Sequence, residues 1–395
     1  MNRFGFGKRQ SFARTALVAA ALSATVPAGA QAAPFFTGLG DLPGGSFTSL
    51  TPSFDNVISG DGSVVVGRST SASGGEAFFW TQAGGMVGLG SAPSEAHSAS
   101  ADGSVIVGQA LTANGNEAVV WTQAGGMVGL GGLSGGIFNS SAYSVSADGS
   151  TIVGQSTSAN GAEAFVWTQA GGMVGIGDFA GSSFTSRAHA VSGDGSVVAG
   201  FGRSAAGFEA FRWTQADGMV SLGDLAGGAF TSRAYGISND GSTIVGQGTS
   251  ANGNEAFVWT AAGGMVGIGD LAGGVFNSIA FSASADGSVV VGRGATDAGT
   301  EAFMWDAVNG MRLLSDVLVN DYGLDLTGWM LSDARGVSDD GLVIAGYGIN
   351  PEGNGEAFVV NLRQDAVSEV PEPPALALFT LALAAGSVIR RHRTA

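Results

Sequence analysis

Apolar and polar residues alternate along this chain in short bursts, and each burst has a strand's period of two. One stretch shows the pattern in full: Ala142-Tyr-Ser-Val-Ser146, Thr151-Ile-Val-Gly-Gln155, Glu163-Ala-Phe-Val-Trp-Thr168 and Met173-Val-Gly-Ile-Gly177. Each run is short, rich in β-branched or aromatic residues and bounded by Gly, Asn or Asp, which predicts four β-strands, A to D. Asp148-Gly149 separates A from B and predicts a two-residue type I′ hairpin turn. Gly171-Gly172 turns C into D, and a longer connection, 178–186, leads to the next A.

The four-run unit is written seven times. A Glu-Ala pair opens run C at 76, 117, 163, 209, 255, 301 and 356, and an Asp-Gly pair keeps phase at 61, 102, 148, 194, 240, 286 and 340. Steps of 41, 46, 46, 46, 46 and 55 identify one supersecondary unit repeated. The short step comes from a connection after Gly90 that lacks five residues. The long one comes from an insert between 311 and 333, in which 313–322 reads as a short helix followed by Trp329.

In run C the alternation puts Glu163, Phe165 and Trp167 on one face and Ala164 and Val166 on the other. A bulky face opposite a small one suits sheets stacked face to face, bulky against small. Six units carry the tryptophan (Trp80, Trp121, Trp167, Trp213, Trp259, Trp305) and the seventh has Val360. The chain ends choose between a ring and a line. Phe35-Phe-Thr-Gly-Leu-Gly-Asp-Leu-Pro-Gly-Gly45 matches a run D with its loop, Met265 to Gly274, while the seventh unit stops after run C at Leu362. An orphan first strand and a missing last strand predict a closed, all-β, seven-bladed β-propeller of four-stranded blades over 33–369, without the exposed edges an open stack would carry. A parallel β-helix is the alternative that periodicity alone leaves open.

Composition sharpens the picture at three points. Glycine, 68 of 395 residues, falls at fixed offsets in each unit and marks turns. The absence of cysteine removes disulfides, thiolate nucleophiles and soft metal sites. Of 16 basic residues, Arg3, Lys8, Arg9 and Arg14 precede residue 33 and Arg390, Arg391 and Arg393 follow 389; nine Arg then face all 32 acidic residues, a balance of −23. Such a body repels phosphate backbones, so nucleic acid is not an expected partner.

Both ends read as sorting signals. A basic stretch, an apolar run at 15–24, and Ala30-Gln-Ala32 predict a signal peptide over 1–32, cut by signal peptidase after Ala32. The other end has Val370-Pro371-Glu372-Pro373, an apolar segment at 374–389 and Arg390, Arg391 and Arg393. Sixteen helical residues reach about 24 Å, short of a ~30 Å hydrocarbon core, so the segment predicts a marginal membrane stop with its arginines cytoplasmic. Residues 370–395 closely resemble the PEP-CTERM sorting signal of Gram-negative bacteria. That resemblance implies exosortase processing near Pro-Glu-Pro, a membrane-bound precursor, and a cell-surface or extracellular, exopolysaccharide-rich biofilm-matrix destination.

The body, through its recurring Glu-Ala-Phe followed by Trp, Gly-Gly-Met and Gly-Asp-Leu-Ala-Gly-Gly, resembles the bacterial extracellular HAF-repeat family, named for His-Ala-Phe. Glu stands here for that His in every unit, and Glu-Ala-Val replaces the tripeptide at 117–119. No role of the family's His carries over.

Candidate chemistry is sparse. His97 and His189 align with Tyr143, Tyr235 and Phe281, which predicts packing in an aromatic slot. No Gly-x-Ser-x-Gly elbow stands out to support a Ser-His-Asp triad. The Asp-Gly turns offer too few oxygens for a calcium loop, so hairpin turns are the simpler reading and no cofactor is implied. The recurrent Glu76, Glu117, Glu163, Glu209, Glu255, Glu301 and Glu356 begin run C at the face carrying the B–C and D–A connections. Asp41, Asp178, Asp224, Asp270, Arg187 and Arg233 gather at that face. Carboxylates ~10 Å apart would repel by ~1.7 kcal/mol per pair at an effective dielectric of 20, against ~0.4 in water. The Glu are therefore solvated, gather cations, or latch blades through backbone N–H groups; the latch is the simplest expectation. Two functions remain on sequence alone: a non-enzymatic module binding exopolysaccharide or surface proteins, or a glycan hydrolase or lyase using Asp316, Asp321, Asp325 and Asp333 of the insert.

Overall fold

A computed structural model describes residues 33–52, 56–90, 93–181 and 183–364. The export and sorting segments, including Ala30, Ala32, the Pro-Glu-Pro motif, the apolar 374–389 and the terminal arginines, lie outside the described residues. Among the described residues no helix is long and apolar enough to cross a membrane.

Seven antiparallel sheets are formed, each in the order A-B-C-D. In the third, the strands are Gly135–Val145, Thr151–Ser158, Gly161–Thr168 and Gly172–Gly175, and a two-residue strand, Phe184–Thr185, pairs parallel with the start of C. The seventh sheet takes A, B and C from Met330–Val337, Val343–Ile349 and Gly355–Asn361, and its fourth strand is Phe35–Gly38 from the other end of the chain. Phe35 pairs with Asn361 and Gly38 with Phe358, and Leu39 N–H extends the ladder to Ala357 O at 2.9 Å. That closure excludes the β-helix.

The blades stack as the run C alternation predicts. Phe165 is buried against Val107 and Ala118 of the preceding blade, while Ala164 on the opposite face receives Phe211 of the next. The same bulky-on-small contact joins Ala210 to Phe257, Ala256 to Phe303, Ala302 to Phe358 and Ala357 to Phe78.

The A–B connection differs from the predicted two-residue turn. Ser146 N–H donates to Thr151 O and Gly149 N–H to Ser146 O, making a four-residue loop in which Gly149 has φ +75°. The longer loop frees residue 147 and its counterparts to reach the neighbouring blade. Asp61 N–H donates to Ala101 O, Ala101 to Ala147, Ala147 to Gly193, Gly193 to Asn239, Asp240 to Ala285, Ala285 to Asp339 and Asp339 to Gly60, all at 2.8–3.1 Å. Seven backbone bonds thus close a ring around the axis. The insert in the last D–A connection forms a single α turn, Leu314–Asp316, continued by a π-helical turn, Val317–Asp321, whose Leu314 and Leu318 are fully buried.

Candidate functional site: the axial mouth

Strand A lines the axis, and in six blades it carries a β-bulge. The register passes from Ala142 to Ser144 without pairing Tyr143, and does the same around His97, His189, Tyr235, Phe281 and Arg335. A bulge re-aims the extra side chain. Opposite each bulge, strand B has the glycine of its Val-Gly or Ala-Gly pair. A Cβ on Gly154 would meet Ser141 O at 2.0 Å, so only glycine allows the strands this close.

The re-aimed side chains make an aromatic arc around the channel. Ring centroids lie 5.4 Å apart for His97–Tyr143, 5.2 Å for Tyr143–His189, 5.3 Å for His189–Tyr235 and 6.4 Å for Tyr235–Phe281. This is the packing slot expected for the two histidines. Arg335 continues the arc, 5.0 Å from the Phe281 centroid, with Nη2 3.0 Å from Asp333 and Nη1 donating to Pro52 O. Beneath, the channel narrows to a cavity of about 70 Å³, where Asn239 Nδ2 donates to Asp339 Oδ2 at 2.9 Å. Burial raises the Asp339 pKa, the Asn239 bond opposes that, and the nearby Asp340 and Asp61 add to the rise.

Above the arc, toward the B–C and D–A connections, arginines gather. Six of the nine body arginines sit here: Arg68, Arg187, Arg203, Arg233, Arg293 and Arg335. Asp333 pairs with Arg335 and, at 3.2 Å, with Arg293. Burial pushes the Glu95 carboxyl up, but His97 at 3.7 Å and the Arg68 charge together hold it below its ordinary value. Arg187 lies 5.3 Å from the Tyr143 centroid and 5.8 Å from Phe201, and its Nη2 donates to Gln155 Oε1. Arg233 lies 5.5 Å from Phe201 and 4.6 Å from Phe208, with Arg203 5.4 Å from the same Phe208 ring. Beside the shortened connection after Gly90, a pocket of about 150 Å³ is lined by Arg68, Glu95, Gln109 and Asn116.

Most of the acidic groups expected at this face have internal partners. Glu76, Glu117, Glu163 and Glu255 each accept, through Oε1, the N–H of the glycine fourteen residues on, at 3.0–3.2 Å. Glu356 does the same across the closure, accepting from Gly40 N–H at 2.8 Å, and its Oε2 accepts from Asn350. Glu209 and Glu301 form no such latch, and strand D explains why. Where latched blades have Gly88, Gly129, Gly175, Gly267 or Gly38 against the carboxylate, those two blades have Ser221 and Leu313. Gly223 N–H instead donates to Ser221 Oγ, and Glu301 accepts from Thr296 Oγ1. Asp178, Asp224 and Asp270 fold their own D–A connections, accepting from the N–H of Thr185, Thr231 and Asn277, and Asp41 accepts from Ser69 Oγ.

The four insert carboxylates do not converge. Asp333 lies on the innermost strand; Asp321 pairs with Arg312 of an outermost strand at 2.7 Å; Asp325 accepts from Thr327 in its own turn; Asp316 lies in the α turn. Each Asp-Gly turn carboxylate is likewise engaged: Asp148 Oδ1 accepts from Ser146 Oγ and Ser150 N–H, and the other six repeat the arrangement. Among the described residues no group of three or more His, Asp or Glu is placed to hold a metal ion. Sequence reasoning missed Arg68, Arg203, Arg293, Arg335, Phe201 and Phe208. The available signal was departure from the repeat, since Phe201, Arg203 and Phe208 stand where the third blade has Gln155, Thr157 and Ala162.

The fold is a seven-bladed β-propeller. No family model and no curated protein matches the chain. Solved propellers do. The β-propeller domain of the Trilobed protease from Pyrococcus furiosus is 10% identical with a TM-score of 0.48, covering 83% of this chain and 100% of that one. An oligogalacturonate lyase from Vibrio parahaemolyticus is 9% identical at 0.48, covering 84% and 98%. TolB from Acinetobacter baumannii is 11% identical at 0.45, covering 78% of this chain, which spans 66% of that TolB. These likenesses are of architecture.

Proposed function

We propose that this chain is an exported, non-enzymatic binding module that holds exopolysaccharide at the surface or in the matrix of a Gram-negative cell. The axial mouth is the contact. The observation that carries the reading is the clustering at that mouth: six arginines and an aromatic arc gather there, while five of the seven recurrent glutamates latch their own blades. Export and processing by signal peptidase and exosortase rest on the terminal segments, through Ala30, Ala32, Val370, Pro371, Glu372, Pro373, Arg390, Arg391 and Arg393. The test is co-sedimentation of the full-length protein with the native exopolysaccharide, with and without calcium. Retention lost on substituting mouth residues is the expected result. No retention under any condition, or capture by a surface protein alone, overturns the polysaccharide reading. Turnover of a glycan panel abolished by substituting Asp333 would favour the enzyme instead.

A further inference from the structure

The fourth and fifth blades depart from the repeat at one place, and the departures share a chemistry. Phe201 and Phe208 pack edge to face with centroids 5.5 Å apart, and three guanidinium groups lie against these two rings: Arg187 and Arg233 on Phe201, Arg203 and Arg233 on Phe208. Three like charges gathered on two touching rings repel one another, and the rings offset only part of that. Arginines elsewhere in the body have carboxylates: Arg212 faces Asp217, Arg312 faces Asp321 and Arg363 faces Asp340. Among the described residues, Arg187, Arg203 and Arg233 form no ion pair, and Arg187 Nε is buried without a hydrogen-bond partner. From Arg203, Asp178 accepts only the backbone N–H, at 2.8 Å, and in a body rich in carboxylates folding alone gives no reason to gather three arginines without an ion pair in one sector. An anion bound there removes the repulsion and meets guanidinium donors suited to planar or tetrahedral oxyanions.

Resting on the polysaccharide reading above, we propose that this sector of the mouth selects acidic glycans, with Arg187, Arg203 and Arg233 holding the anionic group of one sugar beside the packed Phe201–Phe208 pair. A uronate carboxylate and a sulfate ester present the same chemistry. The surrounding negative body repels the rest of such a chain, so recognition is confined to the mouth and weakens as salt screens it.

The test is affinity electrophoresis of the full-length protein in gels containing polygalacturonate, a sulfated galactan or neutral dextran. Retardation by one or both acidic glycans, but not by dextran, is expected, and retention by one alone identifies carboxylate or sulfate. Arg187→Gln and Arg233→Gln should each weaken it at least about tenfold, the loss expected for one charge-assisted hydrogen bond. Arg203 is exposed, so Arg203→Gln gives the same readout with little risk to folding. Arg212→Gln removes an equal charge away from the mouth and should leave retardation unchanged. Equal retardation of all four variants, or of dextran and the acidic glycans, overturns the inference. If the native exopolysaccharide is still retained in that case, the broader function survives with a different contact; if nothing is retained, both fall.

Discussion

Glu163 reaches across its own sheet to the place where Gly175 lacks a side chain. A Cβ on Gly175 would lie 2.2 Å from Glu163 Oε1, and the carboxylate uses that space to accept Gly177 N–H at 3.2 Å. Glutamate and glycine are therefore one device. It is present in five blades and absent from the two in which Ser221 or Leu313 occupies the glycine's position. Gly175→Ala should expel the carboxylate and destabilise the protein by about 1–3 kcal/mol, the cost of a lost charge-assisted bond. Ser221→Ala, at the equivalent place in an unlatched blade, removes only one solvent-exposed, neutral hydrogen bond from Gly223 N–H and should cost less than about 1 kcal/mol. Chemical denaturation of both variants checks this, and equal losses would refute the pairing of the two residues.

Closure can be tested covalently because the chain has no cysteine of its own. Thr37 and Val359 are register partners across the joint between the chain's two ends. Thr37→Cys with Val359→Cys should oxidise to a single disulfide and raise stability by about 2–4 kcal/mol relative to the reduced form. Non-reducing electrophoresis that shows no intramolecular crosslink would mean the first strand does not pair there.

Unequal packing faces predict unequal responses to substitution. Phe165→Ala should cost about 3–5 kcal/mol by leaving a cavity against the preceding blade. Ala164→Leu, on the opposite face against Phe211, should cost about 1–3 kcal/mol by overpacking. If Ala164→Leu proved neutral in urea unfolding, the close bulky-on-small contact would be wrong.

Acid should weaken the molecule through its turns. Hydrogen bonds from the Ser104 side chain and N–H, then from Ser100, hold the Asp102 carboxyl down at about 2. Asp148, Asp194 and Asp286 are lowered by the same kind of bonds. A depressed carboxylate stabilises the fold above its unfolded value near 4 and loses that contribution as pH falls through the folded value. Stability measured by urea unfolding should therefore fall from its level near neutral pH as pH drops between about 4 and 2, with Asp339, whose carboxyl is raised by burial, opposing part of that loss. Asp102→Asn should lower the neutral-pH level and reduce the decline; an unchanged slope would remove the turn carboxylates as its cause.

Much of this is legible in the sequence. Seven Glu-Ala pairs in phase with seven Asp-Gly pairs define the blades, because each blade must satisfy the same neighbour contacts. The orphan 35–40 segment announced the closure, since a propeller lacking one strand must take it from the other end. The bulky and small faces of run C followed from a strand's period of two. The glutamates were placed on the correct face, yet their glycine partners were invisible, because a close approach leaves no mark until two strands are paired. The turn prediction failed for a related reason: Asp-Gly suits a tight hairpin, but the inter-blade bond at Ala147 rewards a longer loop.

The sequence by itself determined the number of blades, their strand order and the joint that closes them, because these depend on local periodicity and on which pieces repeat. Only the tertiary structure decided where the charges meet. Arg187, Phe201, Phe208 and Arg233 come from different strands of two blades, and the pairing of A with B, together with the curvature of the ring, carries them to one rim. Periodicity records what every blade shares; a mouth is built from what individual blades do not share, and only closure of the ring brings those differences together.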